Sequence, residues 1–233
     1  VVTKIPRFSF EKFPQAEPLL NTSMKSVGEV MAVGRSFAES LQKGLRSLEI
    51  GLTGLNEVEI KGAPNRDAIL AVLTQSLPYR LLYVAQAFRS GLSMEDIKSA
   101  SRFDPWFLNQ IQHLVKVEEK LRSDGLPLDG PELLKLKKLG FSDARLAELS
   151  ATTAVAVAEA RAAANIHPTY KRVDTCAAEF PSITPYMYST YESNGHVPSE
   201  CEANPSDKKK VVILGSGPNR IGQGIEFDYF CVH

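Results

Sequence analysis

The stretch DPWFLNQIQHLVKVEEKLRSDG, residues 104–125, predicts a long amphipathic helix. Asp104 can cap its first turn, Pro105 suits the first helical position, and Gly125 suits the end. The spacing predicts one apolar face made of Phe107, Leu108, Ile111, Leu114, Val115 and Leu121. The charged side chains Lys116, Glu118, Glu119, Lys120 and Arg122 are expected largely off that face.

Shorter predicted helices, which begin and end with the same kinds of capping residue, flank this one. Residues 78–93 place Leu81, Leu82, Ala85 and Phe88 on one stripe that ends at Gly91. The predicted caps of the neighbouring helices are Ser93, with Asp96 at the third position, Pro131 with Gly140, Ser142, and Thr152 or Thr153. Short amphipathic helices with short links predict a compact all-α bundle over 50–202. No helix carries converging acid, base and nucleophile, which favours a scaffold or interaction module.

The residues before the bundle, 1–49, predict a strand followed by a helix. VVTKIPRF at the start has the alternation of a strand. From Ser36 onward, Phe37, Leu41, Leu45 and Leu48 recur at helical spacing. Ser36 and Glu39 form a predicted capping box, and Gly51 is the expected stop.

After His167-Pro168 the composition changes, and residues 169–180 and 186–192 are rich in Tyr, Thr and Val. This composition predicts extended structure in both segments. A polar linker then leads to Val211–Leu214, a predicted buried strand that runs into a glycine-rich turn. The glycines of that turn are Gly215, Gly217, Gly222 and Gly224. Such a turn can cradle a phosphate or carboxylate, or it can be a packing turn. Arg220 stands where a dinucleotide fingerprint needs its third glycine, and no P-loop Gly-Lys follows.

Composition narrows the classes further. The 233 residues carry 27 basic and 27 acidic side chains and are 43% hydrophobic, which is ordinary for a globular protein. The balance indicates neither a nucleic-acid nor a membrane partner. Cys176, Cys201 and Cys231 lack the spacing of a zinc site or a disulfide framework. The chain begins in a strand and ends inside a strand-turn unit, so we expect a piece of a longer protein.

The final segment GSGPNRIGQGIEFDYFCVH (215–233) closely resembles the opening of the second synthetase half in the large chain of carbamoyl-phosphate synthetase. Other stretches resemble that family in the same order: VVTKIPRF, MKSVGEVMAVGR, WFLNQI, LGFSDARLA, HPTYKRVDTCAAEF, YMYSTYE and CEANPS. The resemblance covers nearly the whole chain. It is weakest over about 55–78 and 150–164.

The resemblance implies a mainly α fold, in which a helical oligomerisation domain is flanked by incomplete α/β pieces of two ATP-grasp-type halves. Residues 1–49 are expected to end the first, carboxyphosphate half, 50–202 to form the oligomerisation domain, and 203–233 to begin the second half. The first half phosphorylates bicarbonate, and ammonia converts the product to carbamate. The second half phosphorylates carbamate to carbamoyl phosphate.

The resemblance also implies site residues and partners. Glu29, Gly224 and Glu226 match positions that line the inner passage for carbamate. The parent enzyme is expected to use ATP with Mg²⁺ or Mn²⁺, and K⁺. The residues that bind them in the family lie outside this chain, so no catalytic residue is carried over. The fragment alone is therefore expected to be inactive. The expected partners are the rest of the large chain, the glutaminase small subunit and further copies of the helical domain, in the cytoplasm.

Two other readings stay open at this point. One is a free-standing helical self-association module with a remnant βα tail. The other is a truncated nucleotide-binding oxidoreductase, which the displaced third glycine disfavours. We expect Trp106 and Phe107 to lie in the core before an interface.

Overall fold

The computed structural model describes residues 1–127, 129–192, 200–215 and 217–222, with the backbone alone at 219 and 220. Helices dominate the described residues, as predicted. After residue 50 they are α2 (Arg66–Leu73), α3 (Arg80–Arg89), α4 (Met94–Ser101), α5 (Pro105–Asp124), α6 (Gly130–Lys138), α7 (Asp143–Leu149) and α8 (Ala154–Ala163). None of the described helices is long and apolar enough to cross a bilayer.

Predicted caps begin α4, α5, α7 and α8, whereas α2 and α6 are capped by Asn65 and Asp129, which the sequence analysis did not name. Ser93, Asp104 and Ser142 each accept a hydrogen bond from a backbone N–H in the first turn that follows. Of the two candidates for α8, Thr153 is the cap, since its hydroxyl accepts from the N–H of Ala156 at 3.1 Å. These contacts satisfy donors that a helix start otherwise leaves unpaired.

A small antiparallel sheet precedes the bundle. It pairs β1 (Val2–Arg7) with β2 (Gly28–Val33), in register from Val2 opposite Val33 to Arg7 opposite Gly28. A single 3₁₀ turn, Phe10–Lys12, follows β1. Helix α1 (Phe37–Ser47) then covers the inner face of the sheet, where Ile5, Val30, Leu41 and Leu45 are buried. The helix packs closely on the sheet at Gly44, since a Cβ there would lie 2.9 Å from the side chain of Ile5.

The capping box predicted for α1 is only half present. Ser36 accepts from the N–H of Glu39 at 3.2 Å. The Glu39 carboxylate accepts instead from the N–H of Arg35 at 2.7 Å, one residue before the cap. Its other partners are Thr190 and Lys43, so the side chain is drawn toward a distant segment and away from the backbone of Ser36.

The extended structure after residue 168 is a short hairpin. Strands β3 (Thr169–Arg172) and β4 (Met187–Thr190) pair antiparallel, with Thr169 opposite Thr190. The segments are shorter than predicted because the Asp174 carboxylate turns the chain by accepting from the N–H groups of Cys176 and Ala178.

The buried strand predicted at Val211–Leu214 is wrong. These residues form no strand and are exposed, with Leu214 88% exposed. A strand needs a neighbour to pair its backbone N–H and C=O groups, and no described strand pairs with this segment. The nearby strand is instead β5 (Asn219–Arg220), which pairs with β2 inside the predicted turn.

Candidate functional site

The predicted passage residue Glu29 lies on β2 beside the glycine-rich loop. In the antiparallel register, Gly28 faces Arg220 and Glu29 faces Asn219. The N–H of Ile221 also donates to the carbonyl of Val27 at 2.8 Å. Glu29 is 46% exposed, and its carboxylate lies 2.7 Å from the ammonium of Lys4. An acidic side chain is thus held, accessible to solvent, where the loop meets the sheet.

The glycines of the loop differ in what surrounds them. Among the described residues, no atom lies within 4 Å of a Cβ added at Gly215. Gly222 has a left-handed φ of +84°, and the described part of the chain leaves the same space open there. Gly217 has a φ of +77°, and a Cβ there would collide with both carboxylate oxygens of Glu49. The other two predicted residues, Gly224 and Glu226, lie outside the described residues.

This arrangement bears on the phosphate-cradle reading of the loop. A cradle needs free backbone N–H groups and an electropositive approach. At Gly217 the space is taken by an anionic side chain, and like charges repel one another. In this conformation, the loop at Gly217 is therefore a packing turn.

The helical domain has a buried ionic network that the sequence analysis missed. Arg145 is buried and donates from Nε and Nη2 to one oxygen of Glu118, at 2.9 and 2.8 Å. It also donates to both oxygens of Glu57 at 3.0 Å and to the carbonyl of Leu55. Arg89 donates to the second oxygen of Glu118 at 2.6 Å. The network joins α3, α5 and α7 to the connection before α2.

The network shifts the pKa values of Glu57 and Arg145. Burial alone would raise the pKa of Glu57, but the hydrogen bonds from Arg145 outweigh it and lower the pKa to about 2. Burial alone would lower the pKa of Arg145, and its contacts with Glu57 and Glu118 raise it instead. Glu57 and Arg145 are therefore both charged at neutral pH, which is how a buried ion pair is tolerated.

The expected exposure of Glu118 is wrong, because this residue is 1% exposed. Position 118 follows Leu114 by four residues and Val115 by three, so it belongs to the apolar stripe of α5. Its charge argued for the solvent face, but the arginines of two other helices reach it. The spacing was the available signal, and the partners could not be read from the sequence.

The predicted burial of Trp106 and Phe107 is also wrong. They are 53% and 43% exposed at the first turn of α5. Both contact the ring of Phe37 edge to face, at 5.3 and 5.2 Å between centroids, and each other at 5.0 Å. The first turn of α5 lies beside α1, and about half of each side chain is left exposed to solvent.

A groove of about 1100 Å³ lies between the start of α1, the second half of α5 and α6. Charges of both signs line it, and several pair at the rim, such as Arg35 with Glu192 at 2.8 Å and Lys135 with Glu132. Among the described residues, no group of three or more metal-binding side chains comes together. Such a mixture of charged side chains suits contacts between protein surfaces.

Two family profiles match the chain. The profile described as the carbamoyl-phosphate synthetase large chain, oligomerisation domain, matches residues 29–165. The chain belongs to the family of the carbamoyl-phosphate synthetase large chain. A second profile, the carbamoyl phosphate synthase preATP-grasp domain, matches residues 207–233. The helices and the ionic network described above lie within residues 29–165, which the first profile matches, and the glycine-rich loop lies within the second match.

Curated relatives agree over the full chain. The carbamoyl phosphate synthase large chain of Brucella melitensis is 60% identical over 236 residues, which is 100% of this chain and 20% of the relative. Those of Rhizobium meliloti and Xanthomonas campestris are 59% and 56% identical over all of this chain, and 20% and 21% of their own lengths. The chain spans about a fifth of the length of these relatives.

Proposed function

We propose that the chain is the central scaffold and self-association segment of a glutamine-dependent carbamoyl-phosphate synthetase large chain. The observation that carries this proposal is the order of the two family matches, with the oligomerisation domain followed by the start of a preATP-grasp domain. In this arrangement residues 1–49 end the first synthetase half, 50–202 form the oligomerisation domain, and 203–233 open the second half.

The parent enzyme would make carbamoyl phosphate from bicarbonate, ammonia and two ATP in the cytoplasm, and would take ammonia from a glutaminase subunit. ATP, Mg²⁺ or Mn²⁺, and K⁺ belong to the two ATP-grasp centres of that parent. The chain alone is therefore proposed to be inactive, and bicarbonate-dependent ATP hydrolysis by the pure chain would refute this.

The passage for carbamate is proposed to run by Glu29, Gly224 and Glu226. The position of Glu29 supports the proposal, since it is accessible and faces the glycine-rich loop across the β2–β5 pairing. A passage for an unstable anion needs width, which glycine gives, and control of water, which fixed polar groups give. Its outlet would lie in the second half.

Self-association of the chain tests the scaffold role. Sedimentation velocity over a wide concentration range should show a reversible shift from monomer to a larger species, because the helical domain would carry the contact. A species that stays monomeric at every concentration would remove that role. A free-standing helical module predicts the same shift, so the reading frame on both sides must also continue into synthetase sequence.

A further inference from the structure

The turn of the β3–β4 hairpin presents three large apolar side chains to solvent. Phe180, Ile183 and Tyr186 are 65%, 91% and 68% exposed. They lie within residues 174–186, which we call the hairpin tip. A soluble protein seldom leaves several large apolar side chains uncovered in so short a segment, and such patches commonly mark interaction sites.

Hydrogen bonds join the two ends of the hairpin tip and order its backbone. The N–H of Val173 donates to the carbonyl of Tyr186 at 2.9 Å, and the Ser182 hydroxyl donates to the carbonyl of Val173 at 3.0 Å. The guanidinium of Arg172 donates to the carbonyl of Thr184 at 2.5 Å. The apolar side chains are therefore presented by an ordered segment, which lowers the entropic cost of binding a partner.

The base of the hairpin is fastened to residues 1–49, the proposed end of the first half. Arg35 pairs with Glu192 at 2.8 Å, and the Thr190 hydroxyl donates to the Glu39 carboxylate at 3.1 Å. The two paired strands, each four residues long, carry the tip about 10 Å away from these contacts. The base is thus occupied by the first half, and the tip is left for another partner.

Two observations favour the second synthetase half as that partner. The match to the preATP-grasp domain begins at residue 207, shortly after the hairpin, and this chain is only 20% of the length of a relative. A short link would therefore hold the second half close to the tip. Charge agrees, since the tip carries Asp174 and Glu179 and no basic residue, whereas the exposed Lys208–Lys210 open the second match.

We propose that the hairpin tip, through Phe180, Ile183 and Tyr186, is the docking surface for the second synthetase half of the same large chain. The proposal rests on the proposed function, in which residue 203 opens that half. The hairpin is then a strut between the two halves, with its base on the first and its tip on the second.

Hydroxyl-radical footprinting compares the exposure of native side chains in this chain and in the intact large chain. Phe180 and Tyr186 should be labelled readily in this chain and several-fold more slowly in the intact one, because the second half covers them. Equal labelling in the two chains would overturn the docking surface.

Substitution at position 183 tests the contact itself. In the intact large chain, Ile183→Asp should weaken docking about tenfold or more and restore the labelling of both rings, since a carboxylate replaces an apolar side chain at the contact. Ile183→Leu is the matched control and should keep the rings protected. In this chain Ile183→Asp should leave the urea midpoint unchanged, because the side chain is already exposed. Protection that survives Ile183→Asp would contradict the proposal.

Photo-cross-linking identifies the partner. Benzoylphenylalanine placed in the intact large chain at the position of Ile183 should link within the same molecule to sequence that follows residue 233. Links only to sequence before Val1 or to a second copy, or no link at all, would overturn the choice of the second half. Sedimentation tests the scaffold role separately, so an unprotected tip in a chain that still self-associates would remove the docking surface and leave the proposed function in place.

Discussion

At the scale of single residues, Glu118 shows how one charge organises a helical core. Each of its oxygens accepts from a different arginine, Arg145 and Arg89, and the side chain is closed off from water. Removing one member of such a group leaves the others charged in a place with low polarity, which costs more than the pair itself contributes. Substitution at position 118 should therefore destabilise the chain far more than substitution at the next residue of α5.

Glu118→Gln should lower the free energy of unfolding by about 3–5 kcal/mol, because Arg145 and Arg89 lose a buried counter-charge. Urea denaturation followed by circular dichroism measures this. Glu119→Gln is the matched control, since Glu119 is exposed one residue further along, and it should change the value by less than about 0.5 kcal/mol. Equal effects at the two positions would contradict the network.

At the scale of elements, the turn between α6 and α7 is built to meet α1. Gly140 has a φ of +92°, and a Cβ there would lie 2.8 Å from Cα of Glu39. Arg46 and Gln42 of α1 donate to the carbonyls of Gly140 and Leu139, at 2.6 and 2.9 Å. Two backbones therefore touch at a point where only hydrogen fits.

Gly140→Ala should destabilise the chain more than the same change at Gly91. Gly91 also has a left-handed φ but open surroundings, so Gly91→Ala should cost about 1–2 kcal/mol of backbone strain. At Gly140 the collision with α1 should add about 1–3 kcal/mol. Thermal unfolding of the two variants side by side measures the difference. A Gly140→Ala variant as stable as Gly91→Ala would show that α1 can move away freely.

At the scale of the whole molecule, a few ionised side chains join segments that packing alone does not connect. Glu39 of α1 accepts from Thr190 of β4 and pairs with Lys43, which also donates to the carbonyl of Ser189. Glu57 similarly ties the connection before α2 to Arg145 and Arg122. The stability of the fold should therefore depend on the ionisation of its carboxylates.

Acid should weaken the fold through Glu57. Its pKa in the folded chain is about 2, against an ordinary value of 4.5, so its contribution is complete above about pH 5 and is lost as the pH falls toward 2. Urea midpoints measured across this range for the chain and for Glu57→Gln should converge at low pH, because protonation removes the same charge. Midpoints that stay equally far apart at every pH would contradict this.

The assignment of site residues stays a prediction, and the errors of the sequence analysis have physical reasons. The resemblance assigned Glu29, Gly224 and Glu226 to one passage; the β2–β5 pairing puts Glu29 opposite Asn219 of the glycine-rich loop, and Gly224 and Glu226 lie outside the described residues. The strand at Val211–Leu214 failed because apolar residues report a tendency to be buried, while pairing needs a neighbour. The contact of Glu49 with Gly217 had no signal in either local sequence.

The sequence by itself determined helices α3–α8 of the bundle and most of their ends, because caps, glycines and apolar spacing act within a few residues of one another, whereas α2 had no such prediction. It also determined the family, through motifs that run the length of the chain. Only the tertiary structure decided that Glu118 is buried, that Trp106 and Phe107 are exposed, and that Glu49 meets Gly217. Burial and charge pairing depend on which elements meet in space, and local sequence does not encode those partners.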